Sequence, residues 1–116
     1  PGKSGAEEIQ NMMTNFRANP PKELGGSRVV LWKDYKTLQA TDAEGNTTAL
    51  NMPETSNVLQ WFCDDDTKVS VRPSGTEPKI KFYIEVKGTM TDASQYEQLD
   101  REGAAKVEAI KKSLGL

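Results

Sequence analysis

Apolar and polar residues alternate strictly through Ile80-Lys81-Phe82-Tyr83-Ile84-Glu85-Val86. A period of two predicts a strand with one face in a core and the other toward polar surroundings. Upstream, Asn57–Cys63 and Lys68–Val71 read as a strand and its returning partner, joined by a turn at Asp64-Asp65-Asp66. Arg28–Trp32, β-branched and aromatic after a Gly25-Gly26 turn, predicts a further strand. The ends of the chain follow another period. Ala6, Ile9, Met12, Met13 and Phe16 recur at helical spacing behind the capping-box pair Ser4 and Glu7. Asn19-Pro20-Pro21 stops that helix, because proline lacks the N–H and restrains the residue before it. Toward the other end, Thr91-Asp92 or Ser94 caps a helix whose stripe is Tyr96, Leu99, Ala104, Val107, Ile110 and Leu114. Gly103 inside it costs about 1 kcal/mol relative to Ala and signals close packing. Residues 36–56 are polar, with a turn at Asp42, Glu44, Gly45 and Asn46 between two weak strands. The sum is an α+β domain: an antiparallel sheet of about four strands with two helices packed on one face.

Composition narrows the class. At 116 residues, 35 % hydrophobic and 28 % charged, residues 1–116 form a single globular domain. The longest apolar runs, such as Val29–Trp32 and Trp61–Cys63, are far too short to cross a bilayer, and no signal sequence opens the chain. The single Cys63 lies in an apolar stretch and reads as a packing cysteine, so a reducing cytoplasm is expected. The Met12-Met13 pair likewise reads as core, and Asn46-Thr47-Thr48 as turn chemistry rather than a glycosylation site. The chain does not begin with methionine, so a fragment of a longer protein is expected.

Charge refines this further. The net charge is −2, which argues against nucleic-acid binding, since that needs a basic stripe. The sign reverses locally, however. Residues 28–71 hold four basic and seven acidic side chains, whereas 72–87 hold Arg72, Lys79, Lys81 and Lys87 against Glu77 and Glu85. A small positive patch on an acidic protein suits a small anion.

That patch contains Val71-Arg72-Pro73-Ser74-Gly75-Thr76-Glu77-Pro78-Lys79. Arg72 offers a planar fork of donors that stays charged, and Ser74 and Thr76 add hydroxyls. Gly75 allows a turn and close backbone approach, and successive loop N–H groups form an anion-binding concavity. Pro73 and Pro78 stiffen both ends, which lowers the ordering cost of binding. By composition alone, the same residues also describe an ordinary surface turn. The loop is not a Walker loop, because that spacing and its following helix are absent.

Arg-Pro-Ser-Gly-Thr-Glu-Pro-Lys between a hydrophobic strand and Ile-Lys-Phe-Tyr-Ile-Glu resembles the phosphate-binding loop of the C-terminal domain of α-D-phosphohexomutases, the phosphoglucomutase and phosphomannomutase family. The Gly5-Ala6-Glu7-Glu8-Ile9 helix, the Pro20-Pro21 break, Asp34-Tyr35 and the last helix extend the likeness over nearly the whole chain, least over 36–56. The resemblance implies a fold like half of the TATA-binding protein. It places Arg72, Ser74, Gly75 and Thr76 where the family holds the substrate's non-reacting phosphate. Lys81 falls where the family has a basic residue, usually arginine, on the next strand. Lys79 is the other candidate, and Glu77 orders the loop through its basic neighbours.

The family's Ser-His-Asn-Pro-type phosphoserine loop, Asp-Gly-Asp-x-Asp-Arg-type metal loop and Gly-Glu-x-Ser-Gly sugar loop do not occur in this sequence, which has no histidine. Asp64-Asp65-Asp66 reads as a solvated turn rather than a metal site. The resemblance therefore implies a domain that is not catalytically competent alone. Its parent would be an intramolecular phosphotransferase (an isomerase) that shifts phosphate between C1 and C6 of a hexose. The phosphoserine and Mg2+ would lie in other domains of the parent. The implied partners are a hexose phosphate, its bisphosphate intermediate and those other domains, with neither nucleic acid nor membrane. The alternative is a stand-alone phosphate- or phosphoester-binding module without catalytic activity.

Overall fold

The computed structural model describes residues 5–97 and 99–116. A helix, α1 (Gly5–Ala18), leads into β1 (Glu23–Leu24), β2 (Ser27–Asp34), β3 (Gln39–Asp42) and β4 (Thr47–Ala49). Then come β5 (Leu59–Cys63), β6 (Lys68–Pro73), β7 (Ile80–Val86), β8 (Thr89–Asp92) and a closing helix, α2 (Arg101–Ser113). All strand pairs are antiparallel. The sheet runs β4-β3-β2-β5-β6-β7-β8, with β1 paired to the start of β2. Two meanders are thus joined where β2 meets β5. No helix among the described residues is long and apolar enough to cross a membrane.

The α+β expectation holds, and both helices lie on one face. The strand count does not hold: the sheet has eight strands, not about four. The weak pair around the 42–46 turn became β3 and β4. β8 was missed because Thr89-Met90-Thr91-Asp92 shows no strong alternation. The signal for it was the turn: Lys87 and Gly88 both take positive φ (51° and 79°), the backbone of a tight two-residue hairpin. The closing helix also begins later than expected. Asp100 is its N-cap, its carboxylate accepting from the Gly103 N–H at 2.7 Å, so neither Thr91-Asp92 nor Ser94 caps it. Gly103 is packed closely, as expected, against Leu99 and Asp100. The Ser4 half of the proposed capping box lies outside the described residues.

Period-two alternation sorts the sheet into two faces. Leu59, Trp61, Cys63, Val69, Val71, Phe82, Ile84 and Val86 point toward the helices and are buried. Met13 of α1 and Val107 and Ile110 of α2 complete that core. Phe16 sets its ring edge-on to Trp61 and Phe82, with centroids at 5.2 and 6.1 Å, a favourable aromatic geometry. Gly25, at φ +59°, brings the β1–β2 turn so close to Ile110 that a Cβ would lie 2.9 Å from its Cγ1. Here glycine serves both the turn and the seat of α2. Gln60, Phe62, Lys68, Ser70, Arg72, Lys81, Tyr83 and Glu85 occupy the opposite face, away from the side on which α1 and α2 pack.

α1 crosses the loop end of the sheet and is held at both ends. A Cβ on Gly5 would lie 2.7 Å from Cβ of Pro78 in the β6–β7 loop. At the far end, Arg17 Nε donates to Asp34 Oδ2 at 3.0 Å and Nη2 donates to Asn57 Oδ1 at 2.8 Å. Both members of the Arg17–Asp34 pair are largely shielded from water.

Candidate functional site

The β6–β7 register puts Arg72 directly opposite Lys81 on the open face. Side chains so paired stand about 5 Å apart at Cβ, and like charges there repel. Neither cation has a carboxylate partner within ion-pair distance among the described residues. Arg72 reaches Tyr83: Nη2 lies 3.5 Å from the phenol oxygen and the guanidinium sits 5.7 Å from the ring centre. Lys79 differs, lying 3.6 Å from Glu77. Of the two lysines, Lys81 is therefore the one placed opposite Arg72, with no carboxylate at ion-pair distance among the described residues, and Glu77 does engage a basic neighbour.

The loop closes on itself. The Ser74 N–H donates to the Lys79 carbonyl at 2.8 Å and the Lys79 N–H to the Glu77 carbonyl at 2.8 Å. The Thr76 N–H reaches Ser74 Oγ at 3.4 Å. Among the described residues, the Gly75 and Glu77 N–H groups have no hydrogen-bond partner. Gly75 does not take a positive φ, and nothing lies within 4 Å of where its Cβ would be. Neither strain nor internal packing accounts for glycine there, so the turn requirement expected of it is absent.

Beside the loop is a cleft of about 470 Å³, lined in part by Lys79, Lys81, Asp92, Ser94, Gln95 and Lys111. Asp92 Oδ1 accepts from the Ser94 N–H and hydroxyl at 2.8 and 2.7 Å. These bonds, with the positive charges of Lys81 and Lys79, hold its carboxyl below the usual range.

The Asp64–Asp66 turn is exposed, as expected, but Asp65 is more than a solvated turn residue. Ser27 Oγ donates to its Oδ2 at 2.6 Å, the Thr67 N–H to its Oδ1 at 3.1 Å, and Lys106 Nζ lies 3.1 Å away. Lys106 also donates to the Gly25 carbonyl at 3.1 Å and to Ser27 Oγ. Burial pushes the Asp65 carboxyl up, but the bonds from Ser27, Thr67 and Lys106 outweigh it and hold the group well below the carboxylate range. This network ties α2 to the sheet, and its carboxylate is already engaged. Among the described residues, no three His, Cys, Asp or Glu side chains are grouped to hold a metal ion.

Sequence reading missed a second polar group on the open face. Tyr35 Oη donates to Gln60 Oε1 at 2.7 Å, and Gln60 Nε2 donates to Ser70 Oγ at 3.1 Å. The signal was available, because these residues share the polar phase of the alternation that marks the core.

Residues 57–106 match the family model described as phosphoglucomutase/phosphomannomutase, C-terminal domain. The phosphoglucomutase of Staphylococcus aureus strain MSSA476 is 41 % identical over 87 residues, and that of strain MRSA252 is 40 % identical over 86. In both, the alignment covers 74 % of this chain but 15 % of the relative, so the chain corresponds to a small part of those proteins. No solved structure matches. The chain belongs to the phosphohexomutase family, as its C-terminal domain, and with it to the TATA-binding-protein-like fold.

Proposed function

We propose that this chain is the phosphate-holding domain of a phosphohexomutase and that Arg72, Ser74, Gly75, Thr76 and Lys81 grip the phosphate that is not reacting. The observation that carries this is the opposed Arg72–Lys81 pair, with no carboxylate at ion-pair distance among the described residues, at the mouth of a loop with open N–H groups. Two opposed cations repel each other until a dianion lies between them. The guanidinium fork then meets the phosphate oxygens in two parallel bonds, and the missing Cβ of Gly75 leaves the loop backbone accessible.

In the parent enzyme, the clamp would position a hexose phosphate while its other end exchanges phosphate, then hold the bisphosphate after it turns between its C1 and C6 orientations. This uses binding energy from a remote part of the substrate to align the reacting part. The phosphoserine and Mg2+ would come from the parent's other domains, and no step here passes through them. The chain alone should show no mutase turnover. Any glucose 1-phosphate turnover by it, free of full-length enzyme, contradicts the reading.

Binding by the domain alone should be weak. One exposed anion held by Arg72, Lys81, two hydroxyls and a few N–H groups should gain about 4 kcal/mol or less, roughly millimolar affinity, and lose affinity as salt is raised. Titrating inorganic phosphate into the isotopically labelled chain should move the amide resonances of 72–76 first and leave Asp64–Asp66 still. Unmoved resonances at 72–76 in saturating phosphate would refute the preformed clamp.

A further inference from the structure

β8 is shorter than the strand it flanks. Its register with β7 ends at Tyr83 opposite Asp92, so residues 80–82 of β7 run on past it. The Ala93 N–H still donates to the Phe82 carbonyl at 2.9 Å, and the chain then folds back, the Gln95 N–H donating to the Asp92 carbonyl at 2.9 Å. These bonds fix which way the backbone of Ile80 points. Lys79 turns its carbonyl to β6, where it accepts from Ser74, and Lys81 follows it two residues on. Phe82, bonded to Ala93, points the other way, and so does Ile80. The N–H and C=O of Ile80 therefore face the side that β8 has left. Among the described residues neither has a hydrogen-bond partner. An unpaired strand edge of this kind is a template for another strand.

The edge forms one wall of the 470 Å³ cleft, and the cleft is positively charged. Lys79, Lys81 and Lys111 line it against one side-chain carboxylate, that of Asp92, which Ser94 already holds. Lys79 and Lys111 have only long contacts with the exposed Glu77 and Glu108, at 3.6 and 3.8 Å, so both ammonium groups remain available to another carboxylate. Alternation along β7 sorts the wall. Lys79 and Lys81 stand on the open-face side, while the half-buried Ile80 between them points toward the helices.

We propose that residues 79–82 are a strand-addition site for an extended acidic segment of polypeptide. Main-chain bonds to Ile80 supply the pairing, and the flanking side chains supply the selectivity. The host strand dictates the pattern of its guest: an apolar residue opposite Ile80, with a carboxylate on either side of it opposite Lys79 and Lys81, where unlike charges attract. The proposal does not rest on the phosphate reading, and its test uses no phosphate.

The probe is the capped pentapeptide Gly-Glu-Val-Glu-Gly, titrated at low salt into the isotopically labelled chain. It should bind with roughly millimolar affinity and shift the amide resonances of 79–82 and 93–95. The Ile80 amide proton should move downfield as it gains a hydrogen bond. N-methylation of the peptide's valine removes the N–H that would meet the Ile80 carbonyl and should weaken binding about five-fold, the worth of roughly one net hydrogen bond. Lys79→Gln should weaken it about two- to five-fold, as expected for an exposed ion pair. Gly-Lys-Val-Lys-Gly should not bind. Unmoved resonances at 79–82, or equal affinity for the acidic, N-methylated and lysine peptides, would overturn the proposal. Shifts limited to the lysine side chains, with the Ile80 amide still, would show charge attraction without strand addition and overturn it equally.

Discussion

Replacing Asp65 by asparagine removes one negative charge from the junction of Ser27, Thr67 and Lys106 while keeping the side chain's shape. The Lys106 side chain is only 19 % exposed and the Asp65 side chain 44 %. The variant therefore leaves a mostly shielded ammonium with only neutral acceptors, the Gly25 carbonyl, Ser27 and the new amide oxygen, to receive it. Charge-assisted hydrogen bonds contribute about 1.5–3 kcal/mol. Because water reaches nearly half of Asp65, screening lowers that to about 1–2 kcal/mol. For a domain of this size, the midpoint of thermal unfolding should fall by roughly 4–8 °C.

The pH dependence has a definite sign. The folded Asp65 carboxyl lies well below the usual value, so its contribution is complete above the unfolded pKa of about 4 and fades as pH falls further. Melting curves of both proteins followed by circular dichroism should differ most at neutral pH and converge in acid. Lys106→Met in a double-mutant cycle should show coupling with Asp65→Asn. Equal midpoints at neutral pH, or a gap that persists undiminished in acid, would refute the argument.

Arg72→Ala should abolish the phosphate-induced shifts at 72–76 with an unchanged circular dichroism spectrum; in the full-length enzyme it should impair turnover and sugar-phosphate affinity, and near-wild-type kinetics would remove Arg72 from the site. Lys81→Gln should weaken phosphate binding with an unchanged circular dichroism spectrum; unchanged phosphate affinity would remove Lys81 from the clamp. Gly5→Ala should shift resonances across 74–79 and weaken phosphate binding, because its Cβ would stand 2.7 Å from Pro78; an unmoved loop would show that α1 does not seat it. Burial, aided by the Asp65 charge, pushes the Cys63 thiol up to about 11, so a thiol reagent should react with it slowly in the folded chain and rapidly after unfolding.

Residues with a local reason for their position were legible in the sequence. Ile80–Val86 alternates because one face is core, and the structure reproduces that strand residue for residue. Composition left the Arg72–Lys79 loop open between an anion site and a surface turn, and the likeness to the family's phosphate loop singled it out; the register then placed Lys81 opposite Arg72. Positions set by distant partners were not legible. Ser27, Asp65 and Lys106 are separated by 38 and 41 residues in sequence and meet only because β2, the β5–β6 turn and α2 converge. Nor could the chain's own spacing announce Asp100 as the helix cap, since Thr91, Asp92 and Ser94 offered the same side-chain chemistry nearby. Asp92 instead went to the edge strand, where Ser94 holds its carboxylate.

α1 behaves as a yoke. Its start bears on Pro78 and its end is fastened to Asp34 and Asn57, so the loop cannot lift as an independent flap without sliding the helix over Trp61 and Phe82. The Asn57 anchor extends that dependence to the irregular 50–58 connection, where a one-residue change in length would be felt at Pro78, on the opposite end of the helix.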